Sequence, residues 1–114
     1  MSNPKTRYDL ESDCLTVKKK DSKIKQSVSL GNMTLDFDNQ GRVTGIQLLN
    51  ASEIMKFPEN IASPEKFLQN IENAKLEQKQ FEDGILVVVE IYREENGEKQ
   101  EAIINNTAPN IVTA

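Results

Sequence analysis

Between Met33 and Leu49 the chain alternates apolar and polar residues on either side of a glycine turn, and few backbones other than a β-hairpin accept that pattern. Met33, Leu35 and Phe37 alternate with Thr34, Asp36 and Asp38. A period of two sends successive side chains to opposite faces of a strand, so one face is apolar and the other wet. Asn39-Gln40-Gly41 supplies the turn, and Gly41 takes positive φ at no steric cost. The return strand, Arg42 to Leu49, carries Val43, Ile46, Leu48 and Leu49. Its spacing slips between Val43 and Ile46 with Gly45 in the slip, which predicts a β-bulge or a close backbone approach there.

The same reasoning extends to both sides. Arg7 to Lys20 alternates with a break at Glu11-Ser12-Asp13, giving strand, tight turn and strand, with Leu15 and Val17 on one face and Cys14 and Thr16 on the other. Lys18 to Lys25 is polar and basic and reads as a loop. Lys25 to Leu30 is a further strand with Val28 and Leu30 on one face, closed by a turn at Gly31-Asn32. Downstream, Asn50 or Ser52 caps a short helix through Ile54 and Met55 that Pro58 stops. Ser63-Pro64-Glu65 combines an N-cap serine, a first-position proline and a first-turn acid, predicting a helix from Pro64 to Asn73. Its Phe67, Leu68 and Ile71 share one face, which should cover the sheet.

The last third returns to strands. Ala74 to Phe81 reads as a polar edge strand, followed by a turn at Asp83-Gly84. Ile85 to Tyr92 is nearly continuous apolar sequence, which predicts a central strand covered on both faces. Asn96-Gly97 turns the chain into Glu98 to Ile104, and residues 105–114, with Pro109, read as a loose tail. The expected fold class is α+β: antiparallel β-hairpins forming a sheet, with one main helix (about 64–73) packed on it. With 114 residues, one domain is expected. It divides into a β-rich core over 8–56 and a helix with C-terminal hairpins over 57–104.

Composition removes several classes of chemistry. The chain has no histidine and a single cysteine, Cys14, so Cys–His and Ser–His mechanisms, His-based zinc sites and an internal disulfide are excluded. Cys14 is read as a small core hydrophobe, as free cysteines often are. The five glycines form neither a G-x-G-x-x-G nor a P-loop arrangement. A formal net charge of −4 does not favour general nucleic-acid binding. No segment approaches the length of a membrane span, and the first residues lack the apolar core of a signal peptide. A cytoplasmic, non-enzymatic protein without cofactor, nucleic-acid partner or membrane anchor is the expectation.

Three elements recur in one order: Tyr8-Asp9 with Asp13 and Leu15; Asp36, Asp38 and Gly41; and Gly45-Ile46, Leu49 and Ala51-Ser52. Together they resemble the YuzE-like family of small prokaryotic proteins of unknown function, over about residues 8–52. The chain departs from that family at Gln47-Leu48, where an acid followed by isoleucine is common, and at Thr16, where an aromatic usually sits. The resemblance implies a small β-rich domain of prokaryotic origin with no established activity. Some relatives are encoded near small toxin-like proteins, which implies an antitoxin-like partner role.

Three groups of residues are candidates for chemistry. Asp36-Phe37-Asp38-Asn39-Gln40-Gly41 follows the first half of an EF-hand loop. The twelfth position is Gln47 rather than a bidentate acid, and the flanks read as strands. The hairpin reading is preferred, with weak calcium binding through Asp36 and Asp38 as the alternative. Asp9, Glu11, Asp13, Asp36 and Asp38 would cluster if the first and third hairpins were adjacent, but alternating acids usually lie on a solvated sheet face. Lys18-Lys19-Lys20, with Lys23 and Lys25, is read as a solvated loop because it lacks the aromatic and arginine contacts of a nucleic-acid groove. The sequence thus points to an interaction or structural protein. A homodimer or a protein partner, engaged through sheet edges or the helix face, is expected.

Overall fold

The alternating segments become strands, and they pair in two separate antiparallel sheets. The computed structural model describes residues 4–108 apart from Asn60, Ala62 and Asn96. In the first half, β1 (Lys5–Asp9), β2 (Cys14–Lys18), β3 (Gln26–Leu30), β4 (Met33–Phe37) and β5 (Val43–Leu49) form a five-stranded sheet of order β1-β2-β5-β4-β3. Two short helices follow, α1 (Ala51–Ile54) and α2 (Pro64–Gln69). The second sheet is β6 (Asn73–Phe81), β7 (Gly84–Glu95) and β8 (Glu98–Ala108), with β7 in the middle.

Each sheet turns one face inward. Leu15, Val17, Leu35, Phe37, Ile46 and Leu48 of the first sheet are buried with Leu76, Val87, Val89 and Ile91 of the second, in one apolar cluster. Phe67 and Leu68 of α2 join it, and Phe57 meets Phe67 edge-on with ring centroids 5.6 Å apart. Burying side chains of this size stabilises the fold by about 1.5–3 kcal/mol each. The sheets are also tied by a polar link. Register between β4 and β5 slips so that Asp36 faces Gly45 and Phe37 faces Val43, leaving Thr44 as the extra residue. At this bulge the Val43 N–H donates to Gln78 Oε1 of β6 at 2.7 Å. Gly45 lies so close to β4 that a β-carbon there would stand 3.0 Å from Asp36 Oδ2. The slip read from the sequence is therefore a bulge; the main-chain atom nearest that β-carbon, Val17 O of β2, stands at an ordinary 3.5 Å.

Four expectations are corrected. The fold is mainly β, with two sheets and no main helix, rather than α+β with one helix packed on a single sheet. The helix expected over 64–73 stops at Gln69, because Asn70 Nδ2 donates to the Lys66 carbonyl at 2.7 Å and Glu72 N already donates to Tyr92 O, opening the β6–β7 ladder. Residues 105–108, read as loose tail, are the end of β8, where they pair with β7 as far as Ile85↔Ala108; residues 109–114 lie outside the described residues. Finally, β7 is central but covered on one face only. Ile85, Val87, Val89 and Ile91 are buried, whereas Leu86 and Val88 on the other face are half-exposed. Tyr92 on that outer face is shielded by Lys75 and Lys99, whose ammonium groups lie 5.9 and 4.3 Å from its ring centre. Its phenol donates to Glu90.

Candidate functional site

The best-defined polar cluster joins the first turn to the first helix. Asp13, at the end of the β1–β2 turn, has φ of 53°, a conformation that aspartate tolerates better than most residues. Its main-chain oxygen accepts from Ala51 N at 3.0 Å. Its carboxylate accepts from Tyr8 Oη at 2.5 Å, Ser52 N at 3.1 Å and Ser52 Oγ at 2.7 Å. Asp13 thus does the capping of α1 that was expected of Asn50 or Ser52; Asn50, the N-cap residue, makes no side-chain cap bond. Burial opposes ionisation of Asp13, but the bonds from Tyr8 and Ser52 outweigh it and hold the carboxyl below its ordinary value. Tyr8 is raised, by burial first and then by its bond to Asp13 and the negative charge around it.

Asp13 and Ser52 are 39 residues apart in sequence, and the structure brings Tyr8 and Asp13 together with Ala51 and Ser52 as a clasp. Ser52 Oγ already donates to a carboxylate that takes part in three side-chain bonds, and no histidine exists to activate it. The arrangement holds the chain in place; it does not prepare a nucleophile.

Asp36 and Asp38 are separated by their partners. Asp38 Oδ1 accepts from Gln40 N and Arg42 N, both at 2.9 Å, and Oδ2 from Arg42 Nε at 3.0 Å. Those bonds, the Arg42 backbone bond first, lower its pKa and build the turn in which Gly41 takes φ of 76°. Asp36 Oδ1 instead accepts from Ser27 Oγ of β3 at 2.6 Å. Asp9 Oδ1 accepts from Glu11 N in the first turn. Among the described residues no three carboxylate or thiol groups gather in a metal-binding cluster. Cys14 is half-exposed beside Gln47, whose Nε2 lies 3.4 Å from its Sγ, so the core placement read for it is corrected. Strand alternation sends it opposite Leu15 and Val17, to the face that meets no second layer.

The basic run has more company than its sequence suggests. Lys18, Lys19 and Lys20 share the rim of a cavity of about 470 Å3 with Lys5 and Arg7 of β1. The signal was available only through pairing, since β1 and the loop meet by hairpin register (Lys5↔Lys18, Arg7↔Thr16).

Comparison with known proteins adds a family likeness without a function. Residues 5–52 match the family model described as a protein of unknown function, DUF2283. An uncharacterized protein of Methanocaldococcus jannaschii is 44% identical over 50 residues, which is 44% of this chain and 43% of that protein. The chain thus spans less than half the length of the relative it matches. No solved structure matches it significantly. These likenesses support a small family of unknown function, and neither carries the YuzE name. The matched segment runs from β1 to the first turn of α1: it is the five-stranded sheet together with the clasp that closes it.

Proposed function

We propose that the chain is a non-catalytic partner-binding β module. One observation carries this reading. The residues that make the Tyr8–Ser52 pattern recognisable are engaged in holding a shape, through the Asp13 clasp and the Asp38 turn. That shape leaves β1 and β3 as the outer strands of the five-stranded sheet. Edge strands present rows of N–H and C=O groups that another chain can complete. The YuzE-like resemblance extends the reading to an antitoxin-like role, with a small toxin-like protein as partner. Affinity capture from the native host, followed by reconstitution from the two purified proteins, tests it. A stoichiometric complex is expected; capture that recovers no stoichiometric protein contradicts it.

A second reading rests on the outer face of the C-terminal sheet. Leu86, Val88 and Ile103 are only half-buried there and Phe81 is 54% exposed. A two-fold homodimer through this face would bury them. Light scattering at micromolar concentration distinguishes a dimer from a monomer.

A further inference from the structure

The open edge beside the basic rim has a definite chemistry. In a net-acidic chain, five of the fourteen lysine and arginine residues (Lys5, Arg7, Lys18, Lys19 and Lys20) line one cavity against a single acid, Asp21. All five are exposed, and among the described residues none is in ion-pair contact with a carboxylate. Lys5 and Lys18 stand directly opposite each other across the β1–β2 ladder. Like charges in that position repel and weaken the hairpin, so a negative ligand would relieve a built-in repulsion.

The backbone beside this rim is, among the described residues, unpaired in alternate residues. Leu49 N donates to Asn32 O and Lys19 N to Thr44 O. Those bonds fix the phase of the ladders, in which Val17 faces Ile46 and Lys18 faces Lys5. In that phase Lys5, Arg7 and Asp9 direct their N–H and C=O groups to β2, while Thr6 and Tyr8 direct theirs to the free edge. A second cavity, of about 360 Å3, lies on the other side of β1 between Thr6 and Tyr8 and the α2 region, at Leu68, Gln69 and Ile71. An added strand has room for side chains on both of its faces.

The geometry points to an extended acidic segment of a partner protein, added to the sheet along β1 with acids at alternate positions beside Lys5 and Arg7. This inference rests on the partner-binding reading and names the partner's chemistry. Backbone bonds to Thr6 and Tyr8 supply affinity, and the alternate acids supply specificity and salt dependence. Residues facing the second cavity are β-forming and uncharged.

The test is fluorescence anisotropy with a labelled peptide in which glutamate and threonine alternate, titrated with the full chain. Binding that weakens with salt is expected, with loss of roughly tenfold or more for Lys5→Glu with Arg7→Glu. A peptide alternating lysine and threonine should not bind. Because charge reversal can disturb folding, the peptide is also N-methylated on one alternate set of amides and then on the other. One set should abolish binding and the other leave it intact, since only one set faces the edge. Equal loss or equal retention by both sets overturns strand addition. Binding of a single-stranded oligonucleotide at the same rim, as tight as the acidic peptide, overturns the choice of a protein ligand. If the peptide fails while a reconstituted partner complex survives Lys5→Glu with Arg7→Glu, the edge assignment is wrong and the module reading stands.

Discussion

Asp13 ties the first turn of the chain to the first helix. It combines a left-handed backbone, a main-chain bond to Ala51 and three side-chain bonds to Tyr8 and Ser52. Asp13→Ala leaves those donors unpaired and should destabilise the fold by about 1–3 kcal/mol in urea melts, whereas Asp13→Asn, which keeps an acceptor and tolerates positive φ, should lose less. The pH dependence follows from the directions of the shifts. The folded Asp13 carboxyl titrates below its ordinary value, so its contribution is present above the unfolded pKa and is lost as pH falls through the folded one. The folded Tyr8 phenol titrates above its ordinary value, so its contribution is complete below the unfolded pKa and is lost as pH rises through the folded one. Tyr8→Phe with Asp13→Asn should flatten both limbs of a stability-against-pH curve.

Gly41 and Asp38 extend the argument to the hairpin turn. Gly41→Val should destabilise by about 1–3 kcal/mol, because valine is strained at positive φ. Both Asp38 oxygens accept bonds within the turn, so the melting temperature should not rise with calcium. A calcium-induced rise abolished by Asp36→Asn with Asp38→Asn would show instead that the turn binds the ion.

At the level of elements, the bulge in β5 shows how a local irregularity joins two sheets. Gln78 is the acceptor for Val43 N, and Gln78→Ala should cost about 1–3 kcal/mol by stranding that donor. Lys18→Glu should stabilise the β1–β2 hairpin by about 0.2–1 kcal/mol, since it replaces a like-charged cross-strand pair by an attractive one. The strands themselves were legible because alternation is local: Leu15 and Val17, or Met33, Leu35 and Phe37, announce their own face. The bulge was legible for the same reason, through the slip around Gly45. The length of α2 was not, because Asn70 and the recruitment of Glu72 by β7 act against a helical pattern that Ile71 continues. Nor was the end of β8, where Asn105 to Ala108 are held by register with Ile85 to Val88 and not by apolarity of their own.

The whole molecule is governed by contacts that no local pattern encodes. The β2–β5 pairing joins residues some thirty positions apart, Leu15 to Leu48 and Val17 to Ile46, and it alone places Asp13 beside Ser52 and leaves β1 at the edge. The clasp residues were visible as a pattern but not as a contact, and the basic rim was visible as a lysine run but not as a cavity shared with Lys5 and Arg7. Function, on this account, lies in the open edge that those long-range contacts produce. Amide hydrogen exchange across β1 in the purified, monomeric chain tests that most directly. Thr6 and Tyr8 should exchange rapidly while Arg7 and Asp9, bonded to β2, exchange slowly. Equal protection of all four amides in the monomer would show that the edge is already covered and would contradict the account.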